Sequence, residues 1–178
     1  MTQSVIICEF INVNDITLML QSGIFVVNYH QITFYTRENL MITEIQLSRK
    51  LTSQLLHLAQ ISPDAEICGL VSSKNDVPIQ CYPIENVAEE PQTQFLMDST
   101  QQISAMKKMR ENGEELFAIY HSHPTAPACP STLDLETATY PEALHFIISL
   151  NTKGILELRA FHISAKNATE IRTTLSLT

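Results

Sequence analysis

The stretch that most constrains the fold is "ELFAIYHSHP", from Glu115 to Pro124. Its continuous apolar centre is typical of a buried strand. Pro124 has no backbone N–H for a sheet ladder and therefore ends the strand. We expect a central strand here that carries two histidines, His121 and His123, at its end.

Helices and strands alternate along the rest of the chain. Apolar residues at helical spacing predict an amphipathic helix over about residues 47–60, which Ser-Pro-Asp stops. A second helix is predicted over residues 99–112, opened by a capping Ser or Thr and closed by Gly113. A short third helix is predicted over "STLDLETAT".

The remaining segments read as strands. "EICGLVSS" and "PIQCYPIEN" flank "KND" and predict a β-hairpin, and "TQFLMD" is a short extended piece. Three closing strands are predicted in "ALHFIISL", "ILELRAFHIS" and "TEIRTTLSL". This mixed order predicts an α/β (α+β) fold with one mixed sheet flanked by helices.

Residues 1–40 differ from residues 41–178, because they hold apolar, strand-like runs but few helix or turn signals. We expect an N-terminal extension, disordered or loosely packed, followed by one domain from residue 41. Two alternatives are that Met41 is the real start and that residues 1–40 form an extra edge hairpin.

Charge argues against nucleic acid as the main partner. The formal net charge is -8, whereas binding a phosphate backbone needs a basic patch. The local cluster of Lys107, Lys108 and Arg110 is predicted to be the solvated face of a helix. Membrane insertion is not expected either, since no apolar run reaches the roughly 20 residues that span a bilayer.

Cysteine usage favours a cytoplasmic protein with reduced thiols. The four cysteines show no C-x-x-C spacing, which disfavours a Cys-ligated zinc. The sequence does not exclude a disulfide bridge between Cys68 and Cys81 or between Cys68 and Cys129.

The segment "HSHPTAPACPSTLD" contains a possible metal site. His121 and His123, at positions i and i+2 of a strand, project from the same face, so both imidazoles can reach one ion. Ser131 is the expected N-cap of the next helix, which puts Asp134 in the first turn. The stiff, proline-containing loop between them can bring this carboxylate back to the imidazoles.

Two histidines and one carboxylate, with a fourth position open to water, make a catalytic zinc shell, because a structural site would be closed. Such an ion activates water at neutral pH. The alternative is a strand end followed by a helix cap, since H-x-H-P and S-x-x-D both occur without metal. The residues by themselves leave both interpretations open.

A zinc hydrolase also needs a proton carrier that is not a ligand. Glu66, in "PDAEICGLV", is the candidate, because a charge entering an apolar run is costly unless it is paired, exposed or used. The alternative for Glu66 is an exposed residue at the mouth of a strand.

The pattern "EICGL" followed by "HSHPTAPACPSTLD" resembles the JAMM (MPN-plus) metalloproteases, and more narrowly their small single-domain bacterial and archaeal members. The resemblance extends over about residues 45–165 and includes "IENVAEEPQTQFLMD" and "LHFIISL". It implies a cytidine-deaminase-like mixed sheet and a zinc-dependent peptidase or isopeptidase.

The resemblance also implies roles for individual residues. His121, His123 and Asp134 would bind one zinc ion per chain. Glu66 would take a proton from the attacking water and pass it to the leaving amine, and Ser131 would donate a hydrogen bond to the oxyanion. Asn86 matches an asparagine of the small members, with a structural or substrate-positioning role.

The implied substrate is a protein or peptide cleaved near its C-terminal tail, with ubiquitin-like sulfur-carrier proteins as the named possibility. The segment after Asp134 is too short for the long insertions with which eukaryotic deubiquitinases grip ubiquitin chains. The alternative is an inactive MPN-type scaffold that only binds a partner. Residues 1–40 have no counterpart in the resemblance.

The other histidines are expected to have packing or solvent-exposed positions rather than roles in the site. They are His30, His57, His145 and His162. Cys129, inside the motif loop, is expected to be an ordinary loop residue, although a stray ligand or an oxidation-sensitive position is also open.

Overall fold

The structure is a computed structural model. It describes residues 7–12, 15–20, 23–28, 31–33, 43–151 and 156–176. The chain divides into two compact units, Met1–Ile42 and Thr43–Thr178.

Four short strands lie in the first unit. They are β1 (Ile7–Asn12), β2 (Asp15–Leu20), β3 (Gly23–Asn28) and β4 (Gln31–Thr33). Each pairs antiparallel with the next in chain order. The segment expected to be an extension thus contains paired strands, and the domain boundary near residue 41 stays a prediction.

The second unit is a mixed sheet with helices on both faces, as the sequence predicts. Its strands are β5 (Glu44–Ser48), β6 (Cys68–Lys74), β7 (Val77–Ile84), β8 (Glu115–His123), β9 (Leu144–Ser149), β10 (Glu157–Ser164) and β11 (Asn167–Ser176). Its helices are α1 (Arg49–Gln60), α2 (Ser99–Glu111) and α3 (Thr132–Thr137). Among the residues described, the sheet has seven strands in the order β5-β11-β10-β9-β8-β6-β7.

The start of the first predicted helix is wrong. Residues 44–48 form β5, which pairs parallel with β11, and α1 begins only at Arg49. Leu47 satisfies the apolar spacing of the helix, but it lies in the strand and is fully buried there. Ser48 is the N-cap, and its side chain accepts a hydrogen bond from the backbone N–H of Leu51.

The predicted cap of α2 is also wrong. Asp98, not a Ser or Thr, is the N-cap, and its carboxylate accepts a hydrogen bond from Gln101 N–H at 2.8 Å. Gly113 ends the helix region as predicted, with a positive φ of 67° that glycine adopts without strain. The short extended piece predicted at "TQFLMD" contains an isolated bridge between Asn86 and Met97.

Successive residues of the central strand serve the two layers of the core. Tyr120 faces the layer of α1, where Leu51, Leu55 and Phe146 are fully buried. Ile119 faces the opposite layer, where α2 contributes Ala105 and Met109. His121 and His123 follow Ile119 at two-residue steps and therefore lie on the α2 and α3 side of the sheet.

Candidate metal centre

Two histidines at the end of β8 form the base of the site. The strand is held on both sides, antiparallel by β6 and parallel by β9, so its end is fixed by the sheet. His121 is fully buried and His123 is 5% exposed. Because β8 stops at His123, the loop that follows can turn back over these two imidazoles.

The side-chain donors of three residues converge on one point. The Nε2 atoms of His121 and His123 are 3.1 Å apart. Asp134 places Oδ1 3.4 Å from His121 Nε2 and Oδ2 3.6 Å from His123 Nε2. Zinc–ligand bonds of about 2.0–2.2 Å in a tetrahedron put neighbouring donor atoms about 3.3–3.5 Å apart. The separation of 3.4 Å between Asp134 Oδ1 and His121 Nε2 lies in this range, and the two Nε2 atoms, 3.1 Å apart, are slightly closer.

The hydrogen bond at the other end of His123 fixes its orientation. His123 Nδ1 lies 2.7 Å from the carbonyl oxygen of Pro127, which can only accept a proton. In the neutral ring the proton is then on Nδ1, and the Nε2 lone pair points into the site. The ring of Phe95 stacks on His121 at a centroid distance of 4.5 Å and restrains that imidazole in turn.

Asp134 is held by the cap of its own helix. Ser131 donates from its backbone N–H and from its hydroxyl to Asp134 Oδ2, both at 2.7 Å. The Asp134 N–H donates back to Ser131 Oγ at 3.1 Å, which completes a capping box. Since both serine bonds engage Oδ2, Oδ1 is free to bind a cation.

The electrostatics of the cluster favour a charged carboxylate beside a neutral His121. Burial by itself would raise the pKa of Asp134, but hydrogen bonds with His121 and His123 outweigh it and hold the pKa well below its usual range. Burial lowers the pKa of His121. Burial also opposes the charged form of His123, but its hydrogen bond with Asp134 raises the pKa above the ordinary value.

Glu66 lies beside the three donors without joining them. It is 5% exposed, and its Oε1 is 4.0 Å from His123 Nε2. Burial raises the pKa of its carboxyl to about 7, against the lowering effect of His123. The residue is therefore a buried acid at the edge of the cluster, which rules out the exposed position at a strand mouth.

Backbone contacts on both sides of Glu66 keep it in place. Its N–H donates to Pro91 O at 2.6 Å, and its carbonyl accepts from Asn86 Nδ2 at 2.9 Å. The next residue, Ile67, donates from N–H to Ser122 Oγ at 3.0 Å and accepts from Ser122 N–H at 3.0 Å. Ser122, between the two histidines, thus ties the Glu66 segment to β8.

A cavity of about 380 Å³ opens next to this segment. Its lining includes Glu66, Asn86 and Pro91, together with Leu58 of α1. His121, His123 and Asp134 are not among the lining residues, so the cavity borders Glu66 rather than the three donors.

The structure brings all five predicted site residues together. His121, His123 and Asp134 form a candidate metal cluster among the described residues. Glu66 is next to His123, and Ser131 contacts Asp134. His123 also ends a strand and Ser131 also caps a helix. The interpretation of residues 121–134 as a strand end and a helix cap is therefore compatible with their interpretation as a metal site.

Other predictions are also decided here. Cys68, Cys81 and Cys129 are free cysteines, so neither of the two disulfides that the sequence leaves possible is formed. Cys8 lies in β1, of which only the backbone is described. Lys107, Lys108 and Arg110 are exposed, as predicted. Within the described ranges, no helix is long and apolar enough to cross a membrane.

The surroundings of the remaining histidines vary. His57 is exposed on α1, His162 is partly buried, and His145 is buried. His30 lies outside the described residues. Cys129 is exposed, and its sulfur accepts a hydrogen bond from Arg159 Nη1 at 2.9 Å.

Sequence reasoning missed Ser122 and Phe95. A signal existed for Ser122, because a serine between two inward-facing histidines of a buried strand needs a hydrogen-bond partner on the opposite face. No local signal existed for Phe95, which reaches His121 only through the tertiary fold.

Comparison with known proteins places the chain in a family. Residues 48–163 match the family described as prokaryotic homologs of the JAB domain. The desampylase of Haloferax volcanii is 32% identical over 89 residues, which is 49% of this chain and 64% of that protein. The CysO-cysteine peptidase of Mycobacterium tuberculosis is 31% identical over 120 residues, which is 66% of this chain and 81% of that protein.

A solved structure agrees with these relatives. The solution structure of a Desulfitobacterium hafniense protein is 32% identical, covers 74% of this chain and 92% of its own, and superposes with a TM-score of 0.67. The resemblance that the sequence motifs suggest is confirmed by these matches. The chain belongs to the prokaryotic JAB family, the JAMM type of metallopeptidase.

Proposed function

We propose that this protein is a zinc-dependent peptidase or isopeptidase that binds one zinc ion through His121, His123 and Asp134. The observation that carries the proposal is the convergence of three buried donors at 3.1–3.6 Å from one another. When bound, zinc supplies Lewis-acid activation of water and of the scissile carbonyl. The geometry supports this assignment because it leaves a fourth position for water or substrate.

Glu66 is proposed to move the proton. It is close enough to the cluster to take a proton from the attacking water, yet it is not one of the three donors. Its backbone is fixed by Pro91 and Asn86, so the carboxyl group is positioned before substrate binds. The same carboxyl group then delivers the proton to the leaving amine.

Ser131 is proposed to donate a hydrogen bond to the oxyanion that develops during attack. In the structure its hydroxyl donates to Asp134 Oδ2. The proposed role requires the hydroxyl to rotate from Oδ2 to the substrate oxygen, while the backbone N–H of Ser131 keeps Asp134 in place.

The proposed substrate is a ubiquitin-like protein, such as a sulfur carrier, cut at or near its C-terminal tail. The relatives named desampylase and CysO-cysteine peptidase support a protein substrate. The strand β7 is an edge of the seven-stranded sheet, where an extended tail can add main-chain hydrogen bonds. A cytoplasmic location, which the free thiols of Cys68, Cys81 and Cys129 suit, is part of the proposal.

The proposal is tested with a ubiquitin-like protein that carries a short peptide after its C-terminal Gly-Gly. The wild-type chain is expected to hold one zinc ion by elemental analysis and to release the peptide, followed by intact mass. His123→Ala and Asp134→Ala are expected to lose both zinc and cleavage. His57→Ala, on the exposed face of α1, is the matched control and should keep both.

Two results would contradict the proposal in different ways. A wild-type chain without zinc after reconstitution would remove the metal site and favour the inactive MPN-type scaffold. A zinc-loaded chain that cleaves no tail from a panel of ubiquitin-like proteins would contradict the substrate class and leave the metal site standing.

A further inference from the structure

We propose that His145 is a positioning residue for the metal site, which holds the ring of His121 through a hydrogen-bonded link to its Nδ1. The inference rests on the proposed zinc site, because it concerns the side of His121 that faces away from the metal. It gives a role to a histidine for which the sequence predicts only a packing or solvent-exposed position.

The sheet register places the two histidines on one face. β8 and β9 run parallel, with Ile119 opposite His145 and His121 opposite Ile147. In a parallel pair, opposite residues project to the same side, and so do residues two apart along a strand. His121 and His145 are therefore diagonal neighbours on the face of the sheet that carries α2 and α3.

The spacing of these neighbours suits a link through one water molecule. A rise of about 3.3 Å per residue and a strand separation of about 4.8 Å put their Cα atoms about 8 Å apart. A Cα separation of this size is compatible with two imidazole nitrogens joined through one water, a bridge that buried polar atoms commonly use.

Both rings carry a polar atom that needs such a link. His121 Nδ1 and His145 Nε2 are buried, and neither has a hydrogen-bond partner among the described residues. His123, by contrast, satisfies its Nδ1 with Pro127 O. When His121 binds zinc through Nε2, its Nδ1 carries a proton that requires an acceptor.

The electrostatics agree with this arrangement. Burial lowers the pKa of His145 to about 4, and the charges of His121 and Asp134 both act on it, which places it within reach of the cluster. A neutral His145 presents a lone pair as an acceptor at physiological pH.

The test is the zinc affinity of the full chain, measured by competition with a chromophoric chelator. His145→Leu keeps an apolar side chain of similar size but has no acceptor, and is expected to bind zinc about 10–100-fold more weakly. His145→Gln restores an acceptor near the Nε2 position and is expected to recover most of the affinity. His162→Leu, on the neighbouring strand β10, is the control and should bind as the wild type does.

Equal affinity of His145→Leu and the wild type would overturn the inference, and so would equal losses in the Leu and Gln variants. Absence of zinc binding by the wild type would instead overturn the proposed function. If His145→Leu does not fold, nitrogen-15 NMR of the wild type decides the matter. A slowly exchanging proton on His121 Nδ1 together with an unprotonated Nε2 on His145 supports the link, and a deprotonated His121 Nδ1 contradicts it.

Discussion

At the residue scale, Glu66 differs from the three candidate metal donors in position rather than in burial. Its carboxyl group is as enclosed as His123, but it lies 4.0 Å from His123 Nε2, whereas the closest donor atoms of His121, His123 and Asp134 are 3.1–3.6 Å apart. Asp134 is kept charged by its hydrogen bonds, while burial brings the pKa of Glu66 to about 7. Two acidic residues in one site therefore have different chemistry.

Glu66→Gln should separate zinc binding from turnover. The amide has nearly the same shape but cannot take or deliver the proton, so cleavage is expected to fall by about 10²–10⁴-fold. Zinc content should stay at one per chain, since Glu66 is not a ligand. Glu89→Gln, at an exposed position of the loop after β7, is the control and should keep both zinc content and cleavage. Full turnover in Glu66→Gln would remove this residue as the proton carrier.

At the scale of elements, the site lies where β8 ends and where β6 and α3 begin. β8 provides the two histidines near its C-terminal end, and α3 provides Asp134 in its first turn. Glu66 lies two residues before the start of β6. The capping box of α3 has a second use, because the same serine that caps the helix also aims the carboxylate. The same set of hydrogen bonds thus caps the start of α3 and orients the Asp134 carboxylate.

The loop that follows β7 is organised by Asn86. Its Nδ2 donates to the carbonyls of Glu66 and Gln94, both at 2.9 Å. Its Oδ1 accepts from the N–H groups of Ala88 at 3.1 Å and Leu96 at 2.9 Å. All four hydrogen-bonding positions of this amide are occupied, which supports the structural role that the resemblance implies.

Asn86→Ala is expected to lower the free energy of unfolding by about 2–4 kcal/mol, because four backbone groups lose their partner at once. Urea denaturation followed by circular dichroism measures the change. Asn112→Ala, whose side chain is exposed and forms longer bonds, should cost less than about 1 kcal/mol. Equal stability of Asn86→Ala and the wild type would show that the loop holds its position without this residue.

At the scale of the whole molecule, the metal cluster links distant parts of the second unit. His121 belongs to the central strand and Asp134 to a separate helix, so an ion bound by both adds a cross-link to the folded state. A ligand that binds only the folded chain stabilises it in proportion to its concentration over the dissociation constant.

Removal of zinc by a chelator should therefore lower the melting temperature. Zinc at about 100 times its dissociation constant contributes about 2.7 kcal/mol, which corresponds to a shift of about 5–10 °C for a domain of this size. Calorimetry before and after chelation, and after zinc is returned, measures the shift. His123→Ala should show no shift, and a shift of equal size in that variant would place the stabilising metal elsewhere.

Much of the second unit follows from local sequence signals. The turns between β6 and β7 and between β10 and β11 have pairs of residues with positive φ, Asn75–Asp76 and Ala165–Lys166, and the Asn-Asp pair is typical of such a turn. The exception is residues 44–48, where apolar spacing is compatible with a helix. Pairing with β11 makes this segment a strand instead, and a distant partner leaves no mark on local periodicity.

Strand alternation and helix capping are local, so the sequence is enough to predict two histidines on one strand face and a carboxylate in the first turn after the serine cap. Local patterns do not predict that Glu66 comes within 4.0 Å of His123, that Ser122 holds its segment there, or that Phe95 stacks on His121. These contacts join residues from separate elements, whose distance is set by sheet register and packing rather than by spacing along the chain.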